Sequence, residues 1–191
     1  MTPNEIVVGP MDVYLAPESE AQPTDAGTSP AGNWALLGTN GDDDYDEAGI
    51  TVDHSQTIQK FFTLGSTGAK KVSRTQESLM IAMTLLDLLP AEVSKAWNGL
   101  TVTDAGDFDW MGLRKGITVQ TRAVWAVGAS ISPAGAFNIA WYLRKSYNQA
   151  NHSIAFNKGA MAAVRCEWDA LEDLTASTAA ERFGRLIVDE A

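Results

Sequence analysis

Three groups of residues carry side chains that could do chemistry. Gly65-Ser66-Thr67-Gly68-Ala69-Lys70-Lys71 has the glycines and lysines of a phosphate loop. A Walker loop needs Gly-Lys followed at once by Ser or Thr, between a strand and a helix, so that backbone N–H groups cradle the phosphate. Here Ala69 separates Gly68 from Lys70 and a polar, strand-like stretch follows, so the segment is expected to be a hairpin tip. Asp42, Asp43, Asp44, Asp46 and Glu47 could attract calcium, but the alternate ligands, central glycine and twelfth-position glutamate of a calcium loop are missing. A solvated acidic turn is expected instead. His54, His152 and Cys166 could supply a nucleophile and a base. Cys166 lies on an alternating apolar pattern, however, where a core thiol is the expected reading, and two lone histidines serve as polar contacts.

No pair of His or Cys has metal-ligand spacing. The sequence therefore leads us to expect no catalytic residue, no metal and no cofactor. Trp125, Trp141 and Trp168 could form a sugar-binding platform, but they alternate in phase with aliphatic neighbours and are expected in the core. Asn151-His152-Ser153 has the form of a glycan acceptor. Residues Met1 to Val8 show no basic stretch leading into an apolar run, so the acceptor is read as a chance match and the protein as a cytoplasmic product before assembly.

The elements that would position these residues are almost all strands. Arg74 to Asp87 is a long two-faced strand: Leu79, Ile81, Met83 and Leu85 alternate with Met80, Ala82, Thr84 and Leu86. It runs into a helix over about residues 90–98, opened by Pro90 and closed by Gly99. In that helix Val93, Ala96 and Trp97 share an inward stripe, and Glu92 and Lys95 are expected near solvent. Further strands are expected over Ile6–Leu15 (bulged at Gly9-Pro10), Trp34–Leu37, Ile50–Phe62, Ile117–Val127, Phe137–Arg144, Ala162–Asp169 and Phe183–Val188. A looped hairpin at Gly128–Gly135 and an acidic turn around Asp104, Asp107 and Asp109 complete the pattern. Mobile loops are expected at about 17–33, 40–48 and 63–73. The fold class is mainly β, a sandwich or barrel with one short helix, as a single domain over residues 1–191.

Composition narrows the function. The 191 residues carry a formal net charge of −10, which disfavours a protein that grips nucleic acid. One cysteine excludes an internal disulfide, and no stretch nears the roughly 20 apolar residues of a membrane helix. The unusual segment is Ile50–Phe62. His54, Gln56 and Lys60 fill one face and Thr51, Asp53, Ser55, Thr57 and Gln59 the other, so the strand is polar on both sides. Such a strand does not belong in the core of a solitary sandwich. It is expected to line a solvated channel or to project as an arm, tipped by Phe61 and Phe62.

In order and texture the chain resembles the major tail tube proteins of long-tailed bacteriophages. The residues that carry the resemblance are Gly9-Pro10-Met-Asp-Val-Tyr14-Leu-Ala-Pro17, a Pro/Gly-rich loop, Trp34-Ala-Leu-Leu-Gly38, the Gly49-Ile50 strand with its arm, the lone helix, and the Lys158-Gly159 segment leading into Val164–Leu171. The resemblance implies a structural virion protein, not an enzyme, made in the host cytoplasm and built into the tail. It implies hexameric rings, closed by strands of six subunits and stacked into a hollow tube. The implied partners are other copies of the chain, a tape-measure protein, and tail terminator and tail-tip proteins. DNA would pass through the lumen during ejection without specific binding, and no membrane insertion is implied. His54, Gln56, Gln59, Lys60, Phe61, Phe62, Lys70, Lys71 and Arg74 are the candidates for the subunit interface or lumen. The alternative is a β-sandwich tail-tip or baseplate adhesin for a host-surface glycan.

Overall fold

A computed structural model describes residues 10–97, 99–113, 116–129 and 137–190. It is mainly β, with antiparallel sheets and one α-helix among the described residues. The strands are β1 (Met11–Pro17), β2 (Ala35–Leu36), β3 (Thr51–Phe61), β4 (Lys71–Leu85), β5 (Val102–Asp104), β6 (Asp109–Met111), β7 (Arg122–Ala129), β8 (Phe137–Asn148), β9 (Val164–Ala170) and β10 (Gly184–Glu190), and the helix is α1 (Pro90–Ala96). The main sheet runs β2-β1-β7-β8-β9-β4-β3, with β10 also on β8, and β5 and β6 form a separate hairpin.

β8 is the pivot. One edge pairs with β7; the other pairs first with β10, through Leu143↔Gly184 and residues before it, and then with β9, through Ser146↔Ala170 to Asn148↔Trp168. Two strands sharing one edge in succession split the sheet, and its two halves curl over each other. Val13 and Leu15 of β1 and Val124 and Ala126 of β7 thus meet Ile81, Met83 and Leu85 of β4 and Val164, Cys166 and Trp168 of β9 in one core. The alternate residues of the first half make a second core, in which Tyr14, Ala123, Trp125 and Tyr142 are covered by Ala26 and Trp34. Period-two alternation is therefore buried on both faces in β1 and β7, which is what near-continuous apolar runs require.

Several expectations need correction. Residues 117–121 are not strand: Ile117 is fully exposed and Val119 is 54% exposed, because pairing with β1 and β8 begins only at Arg122. An alternating pattern marks an extended chain but does not supply it with a partner. The acidic segment around Asp104–Asp109 contains the small β5–β6 hairpin. Glu92 is buried, not near solvent: its Oε2 accepts the Gly38 N–H at 2.8 Å, and Lys95 Nζ bonds both Glu92 Oε1 (2.6 Å) and the Leu36 carbonyl (2.8 Å). This pair ties α1 to the chain around β2, whose carbonyl and N–H would otherwise be buried unpaired.

The expected helical stripe is present, with Val93 and Ala96 buried, and Gly99 takes the left-handed φ of +68° at the turn after the helix. Segment 17–33 lies over the second core, where Trp34 Nε1 donates to the Ala21 carbonyl (3.2 Å) and Tyr142 Oη to the Glu20 carbonyl (2.5 Å). Segment 40–48 contains a 3-10 turn, Gly41–Asp44, and Tyr45, whose hydroxyl donates to the Leu37 carbonyl at 2.7 Å. Strand β4 begins at Lys71, within the loop expected at 63–73. The first residues of the expected Ile6–Leu15 strand, Asn98 at the end of the expected helix, and most of the Gly128–Gly135 loop lie outside the described residues. No helix among the described residues is long and apolar enough to cross a membrane.

Candidate assembly interface

β3 and the first part of β4 form a ribbon that leaves the body of the molecule. β9 accompanies β4 only from Met80 to Leu85, whereas β3 pairs with β4 from Ala82 out to Lys71. From His54 to Phe61, and from Lys71 to Leu79, each strand has only the other. Every residue of β3 except Val52 is exposed. A two-stranded hairpin is marginal by itself in water, because neither face is covered and both outer rows of N–H and C=O groups are unpaired.

The register sorts the candidate residues onto two faces. His54, Gln56, Ile58 and Lys60 share one with Glu77, Arg74 and Val72, and Gln59 and Phe61 share the other with Ser73 and Lys71. A bulge between Thr57 and Ile58 leaves Thr75 as the extra residue, and its hydroxyl donates to the Thr57 carbonyl (3.2 Å). Phe62 and Lys70 flank the turn, and the Lys70 N–H donates to the Phe61 carbonyl at 2.8 Å. Across the first face Glu77 bridges an imidazole and a guanidinium: His54 Nε2 lies 2.8 Å from Oε1 and Arg74 Nη1 2.8 Å from Oε2. Hydrogen bonds from His54 and then Arg74 hold the Glu77 carboxyl below its ordinary pKa. This exposed pairing sets side-chain orientation and contributes little stability. Lys60, Lys70 and Lys71 make no ion pair among the described residues.

The nine candidates thus lie on one element, and apolar Ile58 (46% exposed), Val72 (56%) and Leu64 lie among them. The other residues weighed for chemistry stay apart. Cys166 is buried in the core, where burial pushes its thiol up to about 12. His152 stacks on Trp97 with ring centres 5.2 Å apart, and its Nδ1 is 3.2 Å from the Arg165 carbonyl. Trp125 and Trp168 are inside the two cores and Trp141 is half-buried, so the three do not form an open platform. No group of three or more His, Cys, Asp and Glu among the described residues is placed to hold a metal.

A second exposed apolar strip was not foreseen. Leu186 and Val188 of β10 are each about half exposed and lie opposite Trp141 and Ile139 of β8. The run Leu186-Ile187-Val188, apolar on both faces of a short strand, was the available signal; Ile187 alone packs on the second core. No protein-family model matches the chain, and no curated protein matches it.

Proposed function

We propose that this chain is a structural subunit that assembles with copies of itself into hexameric rings stacked as a hollow tube, the tail tube of a long-tailed bacteriophage. The observation that carries the reading is the ribbon of residues 54–61 and 71–79, unpaired at both edges and, over 54–61 and 71–76, largely exposed on both faces. Such an element gains little within one molecule and is made for contact between molecules: a neighbour can add strands to its edges and cover Ile58, Phe61, Phe62 and Val72. The half-exposed strip of Leu186 and Val188 on β10, a strand that pairs with β8 and not with the ribbon, offers a second, different surface for contact. Two unlike surfaces meeting head to tail generate rings when the rotation closes and filaments when it does not.

Charge fits a conduit. The solvent-facing side of β3, β4 and β9 presents Asp53, Glu167 and Asp169 beside Thr51, Thr84 and Arg165. On this wall three carboxylates face one cation, Arg165, which is itself paired with Glu167 at 2.5 Å. A wall of net negative charge lets a polyanion pass without gripping it, and screening over about 8 Å confines the effect to wall residues. A tape-measure protein inside the tube and terminator and tip proteins at its ends are the partners this reading assigns.

Negative-stain electron microscopy of purified protein over a range of concentrations tests it. Rings or hollow tubes are expected, alone or on tail fragments as seeds. Protein that stays monomeric in both settings, and binds a host-surface glycan saturably, contradicts the reading in favour of an adhesin.

A further inference from the structure

The charges of this chain are sorted along its length. The first 59 residues hold eleven Asp and Glu and no Lys or Arg, whereas residues 54–76 hold Lys60, Lys70, Lys71 and Arg74 and no Asp or Glu. Folding places Asp42, Asp46 and Glu47 of the first group at the root of one element, and Lys70 and Lys71 of the second at its tip. At the root of the ribbon a cleft of about 490 Å³ lies between Pro10-Met11 and the turn that leads into β3. Met11, Tyr45 and Ile50 give it an apolar wall, and Asp42, Asp46 and Glu47 give it charge. The carboxylates of Asp42 and Glu47 have no partner among the described residues, and Asp46 Oδ1 accepts only the Ala48 N–H at 3.0 Å.

At the tip the lysines are likewise unpaired, beside Phe61 (42% exposed) and Phe62 (60%). Ile50 and Phe61 bound the same strand, so roughly 35 Å of extended chain separates cleft from tip. A ribbon cannot bend its own tip back onto its root.

We propose, resting on the self-assembly reading above, that this cleft receives the ribbon tip of a neighbouring copy. Phe62 packs against Met11, Tyr45 and Ile50, and Lys70 and Lys71 face Asp42, Asp46 and Glu47. The match is of both kinds at once: an aromatic with flanking cations meets an apolar wall with flanking carboxylates. Such a contact propagates from copy to copy. It also brings opposite charges together at the point where chains of net charge −10 must approach, and so offsets their mutual repulsion. Phenylalanines among lysines also suit an anionic lipid surface. The complementary cleft on the same chain favours a second copy.

Paired reversals and a cross-link test this. Lys70→Glu/Lys71→Glu and Asp42→Lys/Glu47→Lys, each with an unchanged circular dichroism spectrum, are each expected to raise the concentration needed for polymer on the order of tenfold or more. Mixing the two is expected to restore assembly, because each tip then meets a cleft of opposite sign. Phe62→Cys and Glu47→Cys, mixed under mild oxidation, are expected to form a disulfide between copies; buried Cys166 stays silent. If wild-type protein never polymerises, the self-assembly reading itself fails. If wild-type polymer forms but both reversals polymerise normally and no cross-link appears, the cleft assignment alone is overturned. It is overturned in favour of a membrane if wild-type protein sediments with phosphatidylserine vesicles, Lys70→Glu/Lys71→Glu does not, and no cross-link forms.

Discussion

Single side chains show how the fold is held and where it can be perturbed. Glu92 is a buried carboxylate that ties α1 to the chain beside β2 through the Gly38 N–H and Lys95. Glu92→Ala leaves the buried Gly38 N–H without its acceptor and the Lys95 ammonium with only the Leu36 carbonyl, and we expect a loss of about 2–3 kcal/mol in urea unfolding. Asp173 is the pH-sensitive counterpart. Hydrogen bonds from the Thr175 hydroxyl, and then from Arg144 (Nε to Oδ2, 2.8 Å) and Ser19, hold its carboxyl well below the ordinary value of 3.8. A depressed carboxyl stabilises the folded state fully above its unfolded pKa, and that contribution is lost as pH falls through the lower folded value. Asp173→Asn should therefore lower the melting temperature at pH 7, and the gap from wild type should narrow progressively below about pH 4. A constant gap from pH 7 to pH 2 would contradict this role for the charge. Neither Glu92 nor Asp173 was legible as a linchpin beforehand. A helix pattern places Glu92 beside the buried stripe without saying that a backbone N–H from 54 residues away will meet it.

Elements were easier to read than contacts. Leu79–Leu85, Phe137–Arg144 and Val164–Asp169 alternate cleanly and are strands, because one face of each packs in a core where a one-residue slip would bury polar groups. The two-faced polarity of His54–Lys60 was visible for the complementary reason: nothing in the body covers it. Residues 117–121 misled because extended backbone alternates whether or not a neighbour pairs with it. The double burial of β1 and β7 depends on the 17–33 segment folding over Trp125 and Tyr142, a long-range contact without a local signature. The ribbon itself yields a prediction at this scale. Its outer part shares no core residue, so deletion of Leu64–Lys71 should keep the far-ultraviolet spectrum and bring the melting temperature within a few degrees of wild type, while abolishing polymer. A deletion variant that polymerises normally would remove the ribbon from the assembly interface.

At the scale of the whole molecule, two well-filled cores sit beside a ribbon that has no core of its own. Stability in such a chain is expected to be uneven: amides on the buried strands β1, β7 and β8 should open only with global unfolding, and those on the ribbon should open locally at little cost. Neighbouring copies would change this by pairing the ribbon edges and covering its apolar residues. Hydrogen–deuterium exchange, followed by mass spectrometry on dilute and on concentrated protein, reads that change directly. In dilute solution peptides covering residues 54–61 and 71–79 should exchange almost at once, and at concentrations that support polymer their exchange should slow on the order of tenfold or more, with β1 and β7 unchanged. Rapid exchange of the ribbon at every concentration, or strong protection of it in the lone monomer, would contradict the claim that other copies of the chain are its partners.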